Sequence, residues 1–286
     1  MAASEPLNTV IIGAGGRMGR ALARAVAEIP ARMRISAAMA STTSASLGKD
    51  FGELAGLARL DVRVTDDLAA GLEGADVVID FSQPHATRSN LTVCRAARKP
   101  LLIGTTGFAA DLGSLFDDAA REIPLLVAPN TSIGVTLLLE LTRIAAKALP
   151  ADFDIEIVEA HHRMKKDAPS GTALALGTAA ARGRGQADTH PKDATSRIGD
   201  RAASEGIPRG GERPTGEVGY AVIRGGDIVG EHTVLFAGTG EQVTLGHRAT
   251  DRAIFARGAV QAASWLAGQA PGRYFMSDFL GLNSIT

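Results

Sequence analysis

Residues able to move protons crowd into one stretch, Glu159-Ala160-His161-His162-Arg163-Met164-Lys165-Lys166-Asp167-Ala168-Pro169-Ser170-Gly171-Thr172-Ala173. A histidine shuttles a proton near neutral pH, and a lysine can neutralise or protonate developing negative charge. Pro169 discourages helix before it, and Ser170 can cap a helix that starts at Gly171. The first N–H groups of that helix, those of Gly171 and Thr172, would then form an anion pocket. With His161, His162, Arg163, Lys165 and Lys166 close by, a substrate bearing carboxylates is the natural guest. Two plainer readings stand beside this one. The stretch could be a solvated basic loop, or Glu159 and the two histidines could bind a metal, although their spacing matches no metal motif.

A second constellation, Gly13-Ala14-Gly15-Gly16-Arg17-Met18-Gly19, follows an apolar run at 9–12 and precedes an alanine-rich stretch of helical spacing. Gly13 allows a tight turn, Gly15 lets backbone approach a pyrophosphate, and the following helix offers its N-terminal N–H groups. The third glycine falls one place late for a strict G-x-G-x-x-G, so context carries more than spacing. A merely structural turn is the alternative. An NAD site places an acid on the ribose hydroxyls at the end of the second strand. No Asp or Glu occurs here between Glu28 and Asp50. Arg17 and the hydroxyls of Ser41, Thr42, Thr43 and Ser44 could instead hold a 2′-phosphate, which favours NADPH over NADH. A hydroxyl loop that contacts nothing is the plainer possibility.

The elements that must position these groups follow from periodicity. Short apolar runs at 9–12, 77–81, 100–103 and 125–128 alternate with helical spacing at 20–29 and 85–98, the pattern of a parallel sheet with crossover helices. Ligands of such sheets sit beyond the carboxyl ends of the strands, here at Gly13, Ser82, Thr105 and Asn130. Past about residue 131 the pattern changes. A helix at 137–149 leads into an alternating strand at 154–160, and 219–229 and 231–245 look like antiparallel strands with polar faces. The polar stretch 183–217 fits an ordered lid or a linker equally well.

Composition closes off other classes. The chain has 286 residues, 45% of them hydrophobic, enough for a sizeable core without staples. Lys+Arg 30 against Asp+Glu 31 leaves a net charge of −1, so no global field recruits nucleic acid or an anionic membrane. Aromatics at 4% argue against base-stacking platforms. One cysteine, Cys94, excludes a disulfide scaffold. No apolar run is long enough to span a bilayer, and the N-terminus lacks a signal-peptide pattern. A soluble cytoplasmic protein is expected.

Taken together, these residues resemble the dihydrodipicolinate reductase family of bacterial lysine biosynthesis. The stretch 159–173 carries the family's E-A-H-H-x-x-K-x-D-A-P-S-G-T-A signature unbroken. Residues 13–19, Ile103-Gly104-Thr105-Thr106-Gly107-Phe108, Ala128-Pro129-Asn130 and Gly226-Asp227-Ile228-Val229-Gly230-Glu231-His232-Thr233 support it. The resemblance implies an α/β fold, with a Rossmann-like dinucleotide-binding domain at 1–131 and 250–286. It implies a second α+β domain at 132–249 that carries a mixed sheet, binds substrate and builds a homotetramer. The implied reaction is NAD(P)H-dependent reduction of a cyclic dicarboxylate to tetrahydrodipicolinate, without metal, nucleic acid or membrane. Carried over by residue, His161 is the proton donor and acceptor and Lys165 a second proton donor, while His162, Gly171 and Thr172 hold the substrate carboxylates. Gly13, Ala14, Gly15, Gly16, Arg17 and Met18 take the pyrophosphate; Gly104, Thr105, Thr106, Ala128, Pro129, Asn130 and Thr131 line the nicotinamide end. Three positions depart from the family. Ala40 stands where members using NADH often carry an acid, Thr131 where phenylalanine is usual, and Gln83-Pro84-His85 where a Pro-Glu pairing is commoner.

Overall fold

The computed structural model of the chain describes residues 5–108, 112–186 and 216–282. These gather into two units, one of residues 5–133 with 253–282 and one of 134–252. In chain order the strands are β1 (Leu7–Ile12), β2 (Met33–Met39), β3 (Val64–Thr65), β4 (Val77–Asp80), β5 (Leu101–Ile103), β6 (Pro124–Val127), β7 (Asp154–His161), β8 (Val218–Arg224), β9 (Gly230–Gly238), β10 (Glu241–Ala249) and β11 (Gly272–Tyr274). The helices are α1 (Arg17–Ala27), α2 (Phe51–Leu54), α3 (Leu68–Gly71), α4 (Pro84–Ala96), α5 (Leu112–Ala120), α6 (Ile133–Ala148), α7 (Gly171–Gly183), α8 (Ala253–Leu266) and α9 (Met276–Phe279).

The first unit is built on a seven-stranded sheet of order β11-β6-β5-β4-β1-β2-β3, and every pairing in it is parallel. Parallel strands covered on both faces need apolar residues throughout, and all four residues of β4 are buried. One face of the sheet sends Ile11, Ile79, Leu102 and Leu126 against Leu22 and Val26 of α1 and Val260 of α8. The other sends Val10, Val78, Leu101 and Leu125 against Leu91 and Cys94 of α4 and Phe116 of α5. From β1 the chain winds outward through β2 and β3, and from β4 it winds the other way. The reversal lies between β1 and β4, and ligands of open α/β sheets bind at such a reversal.

The second unit carries a four-stranded mixed sheet of order β10-β9-β7-β8. Strand β8 runs parallel to β7, whereas β9 is antiparallel to both β7 and β10. Two antiparallel strands were expected from the sequence in the span that holds β8, β9 and β10. Strand β8 stops at Arg224 because Gly225 and Gly226 follow, the latter at φ +46. The 231–245 run folds back at Thr239 and Gly240, with Gly240 at φ +83. A two-residue turn hardly interrupts the period-2 pattern that a strand prediction reads. The parallel pairing follows from α7, which lies between β7 and β8 and lets the chain re-enter the sheet in the same direction. On the inner face Ile155, Ile157, Tyr220, Val234 and Phe236 pack against Leu138 of α6 and Ala173, Leu176 and Ala180 of α7. A Cβ at Gly177 would lie 1.8 Å from the Tyr220 hydroxyl oxygen, so only glycine lets α7 settle there. Most of the 183–217 stretch, residues 187–215, lies outside the described residues, and Arg197, Arg209 and Arg213 with it.

Candidate active site

Along β7 the inward-facing stripe begins with Ile155 and Ile157 and continues, two residues apart, to Glu159 and His161. The apolar core of the second unit thus passes directly into a polar cluster. Glu159 is 1% exposed and His161 9% exposed, so their polar atoms must find partners inside the protein. Glu159 finds four. Its Oε2 lies 2.6 Å from His161 Nδ1 and accepts from Arg224 Nη1 at 2.7 Å; its Oε1 accepts from Arg224 Nη2 at 2.8 Å and from the Ser170 N–H at 2.9 Å. Arg224 is aligned by register, since it pairs with His161 across β7 and β8. The same guanidinium donates to the Asp167 carbonyl at 2.7 Å, which ties the loop before α7 to the sheet.

Burial alone would raise the Glu159 carboxyl, but Arg224, His161 and the Ser170 N–H outweigh it and hold the group below the ordinary carboxylate range. Burial pushes His161 below the usual imidazole value; Glu159 opposes that shift, and Lys165 and Arg224 add to it. A second buried ring, His232 on β9, stands edge-on to His161 with centroids 5.1 Å apart. Burial, helped by the neighbouring His161, takes His232 down to about 4. Its Nε2 lies 3.0 Å from Ser170 Oγ, which also accepts from the Ala173 N–H at 3.2 Å and so caps α7.

The residues expected to hold substrate lie on the segment between β7 and α7 and at the start of α7. Gly171 is exposed at the positive end of α7, with Thr172 half-buried beside it. Lys165 places its Nζ 2.8 Å from Asp167 Oδ2, and its backbone N–H donates to the His162 carbonyl at 3.1 Å. His162 is half-buried. Two nitrogen bases, an ammonium and a helix N-terminus therefore lie on one short segment, an arrangement suited to a carboxylate ligand that must also exchange protons. Among the described residues no group of three His, Cys, Asp or Glu side chains is arranged to hold a metal ion.

In the first unit the glycine loop leaves β1 at the sheet's reversal point. Gly13 adopts φ +92, and a Cβ there would lie 2.5 Å from the Phe81 carbonyl oxygen. A Cβ at Gly19 would lie 2.3 Å from the Gly13 oxygen, so the late third glycine packs α1 onto the loop. A Cβ at Gly15 would meet Ser46 Oγ at 2.8 Å and Ser44 Oγ at 3.2 Å, so the serine loop after β2 borders the glycine loop. Ala14 is buried, Gly16 and Arg17 are exposed, and Met18 is half-buried. The N-cap Gly16 brings no side-chain acceptor to α1, which leaves its positive end suited to a phosphate. The loop thus joins a tight glycine turn to an uncapped helix N-terminus, the geometry that dinucleotide sites use.

Gly104, Thr105 and Thr106 follow β5; a Cβ at Gly104 would lie 2.0 Å from the Phe81 ring, and Thr105 is buried with its hydroxyl 3.5 Å from the Asp80 carbonyl. Ala128 is buried and Pro129 exposed after β6, and Asn130 Oδ1 accepts from the Ser132 N–H at 2.9 Å. Thr131 is 2% exposed and donates to the Phe255 carbonyl at 2.6 Å. Its hydroxyl anchors α8 rather than facing an open lining. The sequence alone assigns no part to Arg224 or His232 and offers Glu159 only as a metal ligand of unmatched spacing. The Glu-x-His spacing on a strand does place two side chains on one face, and that was the readable signal. The cross-strand register that brings Arg224 and His232 alongside left none.

Two family models match the chain: dihydrodipicolinate reductase, N-terminus, over residues 7–131, and dihydrodipicolinate reductase, C-terminus, over 134–280. A protein of Alkalilimnicola ehrlichii named 4-hydroxy-tetrahydrodipicolinate reductase is 51% identical over 272 residues, covering 95% of this chain and 98% of that one. A protein of the same name from Anaeromyxobacter dehalogenans is 48% identical over 273 residues, covering 96% and 97%. Among solved structures, a dipicolinate-bound dihydrodipicolinate reductase from Paenisporosarcina sp. TG-14 superposes with a TM-score of 0.73 at 25% identity, covering 94% of this chain and 97% of the other.

Proposed function

The chain belongs to the dihydrodipicolinate reductase family, and from that premise we propose that the cluster around His161 completes the NAD(P)H-dependent reduction of a cyclic dicarboxylate to tetrahydrodipicolinate, a step of lysine and diaminopimelate biosynthesis. One observation carries the reading: His161, buried and held by a four-coordinated carboxylate, lies on the segment that leads into the N-terminus of α7. Dipicolinate, the ligand of the Paenisporosarcina relative, is a flat ring with two carboxylates, the chemistry that this end of α7 and its cations suit. His162, Gly171 and Thr172 hold the carboxylates, His161 donates and accepts the proton, and Lys165 is a second proton donor. The cations also stabilise charge as it develops on the ring, the kind of preorganised electrostatics that contributes most to catalysis.

Gly13, Ala14, Gly15, Gly16, Arg17 and Met18 take the pyrophosphate of the nucleotide, and residues 104–106 and 128–131 line its nicotinamide end, Thr131 through its backbone. When bound, NADPH supplies the hydride. NADPH is preferred over NADH because Ala40 offers no acid to the ribose and the serine loop adjoins the glycine loop. Residues 1–131 and 250–286 form the nucleotide-binding domain, and 132–249 bind substrate and assemble a homotetramer. Val158, Leu235 and Ile223 lie on the sheet face away from α6 and α7, and Ile223 is 51% exposed; further copies of the chain would cover this apolar surface. The setting is the cytoplasm, where the reduced nucleotide is made; no helix among the described residues is long and apolar enough to cross a membrane. NADPH oxidation that depends on freshly generated cyclic dicarboxylate tests the reading. Oxidation at the same rate without it, or none with it, rejects the assignment.

A further inference from the structure

The hydrogen bonds around Glu159 determine more than its own burial. Arg224 gives it two N–H groups in a fork and Ser170 a third donor, so the carboxylate is held in one orientation from three elements: β8, the cap of α7 and its own strand. Paired with the guanidinium, it is ionised and can only accept. The remaining contact, at 2.6 Å to His161 Nδ1, therefore requires the proton on Nδ1. In the neutral ring the lone pair then sits on Nε2. That atom lies beside Gly230, where an added Cβ would be 3.0 Å from it, so a side chain at 230 would crowd Nε2.

We propose that Glu159, clamped by Arg224, is a positioning residue that fixes His161 in its Nδ1-protonated form and presents Nε2 as the atom that exchanges the proton. This rests on the reductase reading for its chemistry but not for its geometry. In the proton step the imidazolium breaks its Nε2–H bond. The proton goes to the substrate atom that has gained an electron pair, and the bonding pair returns to Nε2 as a lone pair. Nδ1 keeps its proton throughout, donated in a hydrogen bond to the Glu159 carboxylate, and solvent reprotonates Nε2 for the next turnover. Glu159 touches no substrate in this scheme. The charged and titratable groups that act on His161 are Glu159 on its own strand, Arg224 on β8, His232 on β9 and Lys165 on the following loop. Of these only Glu159 favours the imidazolium, so its removal makes His161 a weaker base.

Glu159→Gln tests the role. The amide cannot accept from both Arg224 and His161 through the same two atoms. We expect kcat to fall about tenfold, less than the roughly 10²-fold that complete loss of the proton-transfer group costs. The descending limb of the pH–rate profile should move to lower pH, while NADPH affinity is unchanged. A merely structural role would leave that limb in place in the surviving active fraction. Nitrogen NMR of the histidine-labelled wild-type protein, with His161 assigned by comparison with His161→Gln, decides the matter even if Glu159→Gln fails to fold. A neutral ring protonated on Nδ1 supports the proposal. A ring protonated on Nε2, or a Glu159→Gln enzyme with wild-type kcat and pH profile, overturns it. Failure of the wild-type protein to turn over would instead count against the reductase reading, and the NMR result would stand by itself.

Discussion

Lys165 shows how single residues divide the work of this site. Its ammonium is 2.8 Å from Asp167 Oδ2 and its side chain 21% exposed, so it is held in place yet reachable by a ligand. Lys165→Ala should lower kcat about 10²-fold, the lower end for lost general acid catalysis, with NADPH affinity nearly unchanged. Thr172→Val keeps the shape of the α7 terminus but removes a hydroxyl, so it should act mainly on the substrate KM. Steady-state kinetics of the two variants separates the roles, and a Lys165→Ala enzyme with normal kcat would remove that residue from proton transfer. At the proposed nucleotide site, Ala40 follows β2 with a methyl group where an acid would serve the ribose. Each charge-assisted hydrogen bond to a 2′-phosphate contributes about 1.5–3 kcal/mol, so even one gives NADPH a preference of roughly tenfold. Ala40→Glu should shift kcat/KM toward NADH. Equal kcat/KM for the two nucleotides in the wild type would contradict the preference. The histidines, Lys165 and the serine cap were readable as residue types, because their chemistry is intrinsic. Arg224 and His232 were not, because their part depends on which strand lies beside which.

At the scale of elements, strands and helices set the protonation of what they bury. His232 lies in the inward stripe of β9 with Val234 and Phe236, 4% exposed, and its folded-state pKa falls from 6.5 to about 4. Above about pH 6.5 the ring is neutral whether folded or unfolded, and stability is undiminished. As pH falls through that value toward 4, the unfolded chain takes up a proton that the folded protein refuses, and stability drops by roughly 3 kcal/mol in all. Urea midpoints measured across that window should fall less steeply for His232→Gln than for the wild type, and equal slopes would contradict the assignment. Other elements differ in how plainly they are written in the chain. The strands β1, β4, β5 and β6 are unbroken apolar runs between glycine, proline and polar residues, as a two-sided parallel sheet demands. Strand β11, three residues long and only half-buried, has no such run. The β9–β10 hairpin was hidden because its turn preserves the alternation on both sides.

For the whole molecule, the glycine loop and the His161 segment belong to different units, and the chain passes between them near residues 133–134 and again near 252–253. Reacting atoms must approach to about 3–3.5 Å, so the proposed chemistry requires the units to bring their ligands together. Closure should need both NADPH and a dicarboxylate, with hinges at 130–134 and near Thr250. Solution scattering at constant oligomeric state should show a smaller radius of gyration only when NADPH and an unreactive dicarboxylate are present together. A constant radius across the free, singly and doubly bound samples would point to a preformed site. The most direct measurement compares wild type with His161→Ala while NADPH consumed and tetrahydrodipicolinate formed are both quantified. The wild type should consume one NADPH per product, and His161→Ala should lose about 10²-fold or more in kcat with NADPH affinity unchanged. A wild-type protein that forms no product, or a His161→Ala protein with near wild-type kcat, would contradict the proposed chemistry.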